Sequence, residues 1–94
     1  MTHALSRTEL LVGPEGINAL ARARVAVFGL GGVGSWATEA LARAGIRDLT
    51  IVDYDRVCRT NLNRQLIATR ETIGQLKVDA MRARILSILP DACV

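Results

Sequence analysis

Short apolar runs along the chain predict three strands. Residues 24–29, RVAVFG, form a β-branched run that ends in glycine, which is typical of a buried strand. In residues 48–55, DLTIVDYD, apolar and polar positions alternate little, so the run predicts a second strand that is buried on both faces. Residues 92–94, ACV, have the pattern of the first residues of a third strand.

Three further segments have the composition or periodicity of helices. Residues 14–23 predict a short helix with Pro14 near its first turn. Proline is favourable there because the N–H that it lacks would have no acceptor within the helix. Residues 36–45 are rich in Ala and Leu and predict a helix that Gly45 ends as its C-cap. Residues 77–89 predict an amphipathic helix. Its expected apolar face consists of Val78, Met81, Ile85 and Ile88.

The order strand, helix, strand within residues 24–55 indicates a βαβ unit with parallel strands and a right-handed crossover. We therefore predict an α/β fold: a Rossmann-like βαβ start of a mostly parallel sheet with helices on both faces, truncated as the third strand begins. Residues 57–74 are polar and irregular, with at most one helical turn near residues 62–68. Because two strands and three helices leave a sheet edge and apolar strand faces uncovered, we expect residues 1–94 to be the N-terminal part of a larger domain.

Composition narrows the class of protein. With 94 residues, 50% hydrophobic and 22% charged, the chain fits one small globular domain and not a disordered segment. No apolar run approaches the ~18 residues of a membrane span, and no secretory signal is visible, so we expect a cytoplasmic protein. Cys58 and Cys93 form no CxxC pair, which argues against a disulfide scaffold or a zinc site in this stretch.

Charge is distributed unevenly along the chain. Residues 1–55 carry five Arg against six acids, a net −1, whereas residues 56–94 carry six Arg and Lys77 against three acids, a net +4. A basic second half suits a polyanionic partner such as phosphate or RNA. An Arg-rich surface without a specific partner explains the same charge equally well.

The motif GLGGVG, from Gly29 through Gly31 and Gly32 to Gly34, satisfies the GxGxxG fingerprint between a predicted strand and a predicted helix. Such a loop turns tightly, lets phosphates approach the backbone, and points helix N-terminal amides at negative charge. Asp53 ends the second predicted strand 19 residues after Gly34, where an acid accepts hydrogen bonds from ribose hydroxyls. The pattern predicts a nucleotide at the strand ends, and both NAD and ATP fit it.

The residues after Asp53 resemble those of the ThiF/MoeB/HesA superfamily, which includes the ubiquitin-activating enzymes. The motifs that carry the resemblance are GLGGVGS, DYD, TNLNRQ and GQLK. Their spacing also matches, since Asp53 precedes Arg64 by 11 residues and Lys77 by 24. The resemblance covers residues 7–94 and implies that residues 1–94 are the N-terminal part of a ThiF-type ATP-binding domain.

This resemblance implies a site for ATP. In the family, ATP lies against the glycine loop, the acid matching Asp53 holds the ribose, and the residues matching Asn61, Arg64 and Lys77 contact ATP. Arg64 and Lys77 are the expected catalytic cations, because adenylation of a carboxylate builds negative charge as pyrophosphate leaves. In relatives an N-terminal arginine reaches the partner's ATP across a homodimer, a role that would fall to Arg7. The family's Mg²⁺-binding aspartate lies beyond residue 94, so no metal ligand is expected here.

Within the superfamily, the motifs SRTELLVG, VCRTNLNRQ and KVDAMRARILSILPDA are most similar to the dehydratases that act on threonylcarbamoyladenosine in tRNA. The resemblance implies that the full-length protein adenylates the threonine carboxylate and closes a ring, whereas the 94-residue chain alone is inactive. One alternative is an adenylyltransferase that activates the C-terminus of a ubiquitin-like sulfur-carrier protein. Another is an NAD(P)-binding Rossmann module.

Three conspicuous residues receive no chemical role. Trp36 and Met81 are expected to pack in the core, on the helices that carry them. Cys58 is expected to be structural, because the reactive cysteine of thioester-forming relatives lies beyond this region.

Overall fold

The computed structural model describes residues 3–94. Its elements, in chain order, are α1 (Ser6–Arg22), β1 (Arg24–Phe28), α2 (Gly34–Ala44), β2 (Asp48–Val52) and α3 (Lys77–Ile88). A 3₁₀ turn, Arg59–Asn61, lies between β2 and α3. The predicted α/β class and the order of its elements are confirmed.

The two strands pair in parallel, with Val25 opposite Leu49 in the register. The chain returns to the other edge of β2 at Cys93, whose N–H donates to the carbonyl oxygen of Arg47 at 2.7 Å. Cys93 in turn accepts the N–H of Leu49 at 2.9 Å and forms a parallel bridge with Asp48. The predicted start of a third strand is therefore confirmed.

Only one face of this sheet is covered in the described residues, so the predicted burial of β2 on both faces is not observed within residues 3–94. Leu49 and Ile51 point towards the core, whereas Thr50 and Val52 on the opposite face are exposed. β1 behaves in the same way, and Phe28 is 78% exposed. The alternation is hard to recognise in the sequence because several residues on the open face are apolar.

The core lies between the covered face of the sheet, α2 and α3. It contains Leu49 of β2, Ala42 of α2, and Met81 and Ile85 of α3, all essentially inaccessible to solvent. The predicted core position of Met81 is confirmed. The buried face of α3 is turned slightly from the predicted one: Ala80 is buried, whereas Val78 and Ile88 are only half-buried.

α1 begins eight residues earlier than the predicted helix of residues 14–23. Gly13 adopts φ 72° and ψ 174°, which bends the element into two helical halves, and Pro14 starts the second half as its geometry favours. No residue of α1 is buried, and Leu10 and Leu11 are exposed. α2 is the better-predicted helix, because Gly45 ends it with φ 100° as expected.

The turn between β1 and α2 depends on a close backbone approach. A Cβ atom on Gly34 would lie 1.7 Å from the carbonyl oxygen of Gly29, a distance that no side-chain movement relieves. A Cβ atom on Gly31, in the same turn, would meet nothing closer than Gln65 Nε2 at 3.7 Å. The glycine at position 34 is therefore required by space, whereas the fold tolerates a methyl group at position 31.

A buried carboxylate joins α2 to α3. Arg84 of α3 donates through Nε to Glu39 Oε1 at 2.7 Å and through Nη2 to Oε2 at 2.9 Å, and Arg43 donates to Oε2 at 3.0 Å. The hydrogen bonds from Arg84 are the main cause that lowers the pKa of Glu39 to about 2, although burial of the carboxyl acts in the opposite direction. The charged form of Glu39 is therefore part of the folded structure.

We predict that Glu39→Gln lowers the free energy of unfolding by about 1–3 kcal/mol at pH 7. Solvent weakens the interaction of Glu39 with the half-exposed side chains of Arg43 and Arg84, and the range allows for this screening. Because the carboxyl has a lowered pKa when folded, its contribution is complete above its ordinary value of 4.5 and is lost as pH falls towards 2. Denaturant unfolding from pH 7 to pH 2 should show the two proteins converging below pH 4.5. Glu71→Gln, at an exposed position without an ion pair to the described residues, is the matched control. A pH-independent difference would contradict this account.

We also predict that Gly34→Ala destabilises the fold by more than about 3 kcal/mol, because the backbone of the turn must open. Gly31→Ala, the same substitution in the same turn, should change the free energy of unfolding by less than about 1 kcal/mol. Thermal unfolding of the two variants measures the contrast. Equal melting temperatures would show that the turn is not closed as described.

Candidate functional site

The carboxyl ends of β1 and β2 meet at one edge of the sheet, and Asp53 joins them there. Its Oδ2 accepts the N–H of Leu30 at 2.8 Å, and its Oδ1 accepts the N–H of Asp55 at 2.8 Å. The N–H of Gly29 also donates to the carbonyl oxygen of Val52 at 2.8 Å. Each carboxylate oxygen has a second lone pair, so Asp53 retains the capacity to accept ligand hydroxyls.

Residues 29–34, the glycine loop, offer unused backbone donors at the N-terminus of α2. Within residues 3–94, the N–H groups of Gly31, Gly32, Val33 and Gly34 find no hydrogen-bond acceptor. No side chain caps α2, and its first turn contains no acidic residue. Because the helix dipole adds a partial positive charge at this end, the loop is suited to bind an anion.

The TNLNRQ segment, residues 60–65, lies against this loop. Cγ and Cδ of Arg64 would each lie 3.5 Å from a Cβ atom on Gly32, so the arginine stem covers the loop. Arg64 Nη1 donates to the carbonyl oxygen of Thr60 at 3.2 Å and to Asn63 Oδ1 at 2.9 Å. Arg64 takes part in none of the ion pairs of the described residues, so its charge is available to a ligand.

Lys77 is the first residue of α3 and is only 6% exposed. Its backbone N–H donates to the carbonyl oxygen of Asp55 at 3.0 Å, which places the start of α3 beside the end of β2. No ion pair within residues 3–94 includes it. None of the side-chain hydrogen bonds of the described residues involves its ammonium group, and Nζ is not among the fully buried polar atoms, so the ammonium remains able to meet an anionic ligand. The burial argues against a solubilising surface lysine.

Asn61 has a structural role that the sequence did not reveal. Its Oδ1 accepts the N–H of Cys58 at 2.8 Å, and its own N–H donates to the carbonyl oxygen of Cys58 at 2.9 Å. This reciprocal pair closes the 3₁₀ turn just before residues 62–68, where a helical turn was expected. The pair occupies the positions of a capping box, but Cys58 and Asn61 are not the residue types of its usual signature, so the sequence carries little signal for it.

Trp36 does not lie in the core of the described residues, contrary to the prediction. The side chain is 54% exposed, and its Nε1 donates to the carbonyl oxygen of Arg64 at 2.8 Å. Ser35, the preceding residue, is buried and accepts the N–H of Leu66 at 3.1 Å. Gln65, which no motif of the sequence singles out, is buried against the glycine loop, and its Oε1 lacks a partner among the described residues.

Arg7 is exposed on α1, and none of its hydrogen bonds or ion pairs within residues 3–94 reaches the glycine loop. A cavity of about 370 Å³ lies elsewhere, between the chain start and the ends of α2 and α3. Leu5, Arg43 and Arg84 are among the residues that line it, and it includes none of the predicted site residues. The structure thus brings together the glycine loop, Asp53 and Arg64, and leaves Arg7 apart from them.

The described part of the chain lacks both a metal-binding cluster and a membrane-spanning helix. Residues 3–94 contain no group of three or more His, Cys, Asp or Glu side chains placed to hold a metal ion. Among the helices of those residues, none has the length and hydropathy needed to cross a membrane.

Known proteins are similar to this chain over almost its whole length. The model of the ThiF family matches residues 5–94. The tRNA threonylcarbamoyladenosine dehydratase of Bacillus subtilis is 54% identical over 91 residues, which is 97% of this chain and 36% of that protein. The molybdopterin-synthase adenylyltransferase of Salmonella typhimurium is 47% identical over 76 residues, 81% of this chain and 30% of that protein.

A solved structure agrees in three dimensions. The crystal structure of the Escherichia coli tRNA N6-threonylcarbamoyladenosine dehydratase in complex with ATP superposes with a TM-score of 0.95 at 45% identity. It covers 97% of this chain and 37% of that one, and this chain spans about a third of the length of the curated relatives it matches. The family match over residues 5–94, which include the glycine loop, Asp53, the TNLNRQ segment and Lys77, shows that the chain belongs to the ThiF family.

Proposed function

We propose that the full-length protein catalyses the ATP-dependent dehydration of threonylcarbamoyladenosine in tRNA, and that residues 1–94 form the N-terminal part of its ATP-binding domain. The observation that carries the proposal is a loop of unused backbone amides that the stem of Arg64 covers. Neither Arg64 nor Lys77, at the start of α3, has a counter-ion among the described residues. Relatives of this name at 47–54% identity support the choice of substrate.

In this proposal the described residues divide the work of binding ATP. The glycine loop receives phosphate oxygens on its amides, and Asp53 accepts the ribose hydroxyls while it continues to hold Leu30 and Asp55. Asn61 contacts the nucleotide with its amide nitrogen, because its oxygen closes the 3₁₀ turn. The solved dehydratase structures with ATP and with AMP support an adenine nucleotide over NAD(P).

In this proposal Arg64 and Lys77 stabilise the negative charge that develops on the leaving pyrophosphate. Attack of the threonine carboxylate on the α-phosphorus of ATP forms an acyl-adenylate and breaks the bond to pyrophosphate, whose negative charge increases as it leaves. Fixed cations stabilise that charge more in the transition state than in the ground state. Arg64 provides a planar fork for two oxygens and Lys77 a single point charge. Intramolecular attack on the acyl-adenylate then closes the ring and releases AMP.

Mg²⁺ belongs to the proposal only as a partner of ATP that residues outside this stretch would hold. The described residues do not fit a metal site, because they contain no group of three or more His, Cys, Asp or Glu side chains placed to hold an ion. No step of the proposed mechanism is therefore assigned to the metal here.

The proposal includes tRNA as substrate and a homodimer in the cytoplasm. The net +4 of residues 56–94 supports an approach of tRNA, since exposed arginines such as Arg59 and Arg70 lie on the segment that flanks the site. In a homodimer, Arg7 on the exposed α1 would serve the partner's ATP. A second function, adenylation of a sulfur-carrier protein, is supported by the 47% identity to the molybdopterin-synthase adenylyltransferase.

The first experiment incubates the full-length protein with ATP, Mg²⁺ and tRNA that carries threonylcarbamoyladenosine. We predict AMP release together with a nucleoside that has lost one water, detected by mass spectrometry. The parallel reaction contains a carrier protein with a Gly-Gly C-terminus in place of tRNA. Unchanged tRNA together with pyrophosphate exchange on the carrier would reject the dehydratase and establish the second function.

We predict that Arg64→Ala lowers kcat for AMP formation by about 100-fold, because a cation aimed at developing charge is lost. The fold should persist, since the guanidinium contacts only Thr60 and Asn63 at the surface. Arg22→Ala is the control: it removes an exposed arginine from the last turn of α1, outside the basic residues 56–94, and Arg22 takes part in none of the ion pairs of the described residues. Equal rates for the two variants would refute the role of Arg64.

A further inference from the structure

Trp36 makes a single long-range polar contact, and that contact is to the residue proposed as a catalytic cation. Its indole N–H, which is able only to donate, reaches the backbone carbonyl oxygen of Arg64 at 2.8 Å. The two residues are 28 positions apart, and the ring is half-exposed in the first turns of α2. Within the described residues the ring does not pack in the core with Met81 and Ile85.

Ser35 makes the matching contact two residues further along. Its Oγ accepts the N–H of Leu66 at 3.1 Å and donates to the carbonyl oxygen of Gly31 in the glycine loop. The bonds from Ser35 and Trp36 therefore hold the peptide groups on both sides of Gln65. Consecutive residues of α2 fix the end of the TNLNRQ segment relative to the loop that receives phosphate in the proposed function.

The other hydrogen bonds of Arg64 and Gln65 are local and do not fix the segment to α2. The N–H groups of Arg64 and Gln65 donate to the carbonyl oxygen of Asn61 at 3.2 and 3.0 Å, which stabilises the turn but not its position. The guanidinium is held only by Thr60 and Asn63 of the same segment. The backbone at Arg64 thus depends on α2 for its placement over the glycine loop.

We propose that Trp36 is a positioning residue for Arg64: its indole N–H holds the Arg64 carbonyl oxygen so that the arginine side chain lies across the glycine loop. This inference rests on the proposed function, in which the guanidinium of Arg64 stabilises the leaving pyrophosphate. Since a misplaced catalytic group loses much of its effect while the bound substrate changes little, the loss appears in kcat more than in ATP affinity.

The test is a double-mutant cycle in the full-length protein with Trp36→Phe and Arg64→Ala. Phenylalanine keeps an aromatic ring and removes the donor, so Trp36→Phe should lower the single-turnover rate of AMP formation by about 3- to 10-fold, the worth of one neutral hydrogen bond. In the Arg64→Ala background the same change should alter the rate by less than about twofold, because Trp36 acts through Arg64. An equal loss in both backgrounds, or no loss in either, would overturn the proposal.

Two measurements separate this proposal from simpler explanations. Replacing Trp36 with benzothienylalanine, which has sulfur in place of the indole N–H and almost the same shape, should reproduce the loss seen with Trp36→Phe. A rate equal to that of the wild type would overturn the proposal, since the ring and not the donor would then matter. Melting temperatures of all variants should lie within about 3 °C of their parents, because the ring is half-exposed.

Failure of the proposed function gives a different result. If the wild-type protein forms no AMP with either tRNA or carrier protein, the proposed reaction is rejected. The cycle is then measured on the affinity for ATP by calorimetry, where non-additive losses for Trp36→Phe and Arg64→Ala support the positioning role and additive losses reject it.

Discussion

The carboxylate of Asp53 is the constraint on which the site depends. It stands at the end of β2 and accepts one backbone N–H from Leu30, in the turn after β1, and one from Asp55, in its own loop. These bonds fix the two strand ends relative to each other, and so fix the direction in which the loop amides point. Asp53 therefore acts on a nucleotide twice, by shaping the loop that meets the phosphates and by offering its remaining lone pairs to the ribose. A substitution of Asp53 tests both roles together.

Several groups at this edge of the sheet carry full or partial positive charge that no carboxylate of the described residues neutralises. The free amides of the glycine loop, the exposed guanidinium of Arg64 and the ammonium group at the end of the largely buried Lys77 have no carboxylate partner among the described residues. By contrast, Glu39 neutralises the arginines between α2 and α3 with short hydrogen bonds, at a distance from the loop. The arginines between α2 and α3 are thus paired, whereas Arg64, whose stem covers the free amides of the loop, has no carboxylate partner among the described residues, and this arrangement favours an anionic ligand at the loop.

The sequence predicted the parts of the site that depend on local chemistry. The glycines of the loop, Asp53 at a strand end and Gly45 as a helix cap follow from backbone space and hydrogen bonding, which residue type reveals directly. Residues whose role depends on distant partners were not predictable. Trp36 is expected in the core because nothing near it in the sequence indicates its acceptor, the carbonyl oxygen of Arg64, which lies 28 residues away. The exposure of Val52 in β2 is likewise not predictable from its apolar side chain.

Calorimetric titration of the full-length protein with ATP and, separately, with NAD⁺ tests the central claim most directly, because both nucleotides fit a glycine loop followed by an acid at the next strand end. The account predicts saturable binding of ATP and no detectable heat with NAD⁺, since Arg64 and Lys77 supply charge for a triphosphate at the loop. Saturable binding of NAD⁺ without binding of ATP would contradict the account, and would make the glycine loop a dinucleotide site.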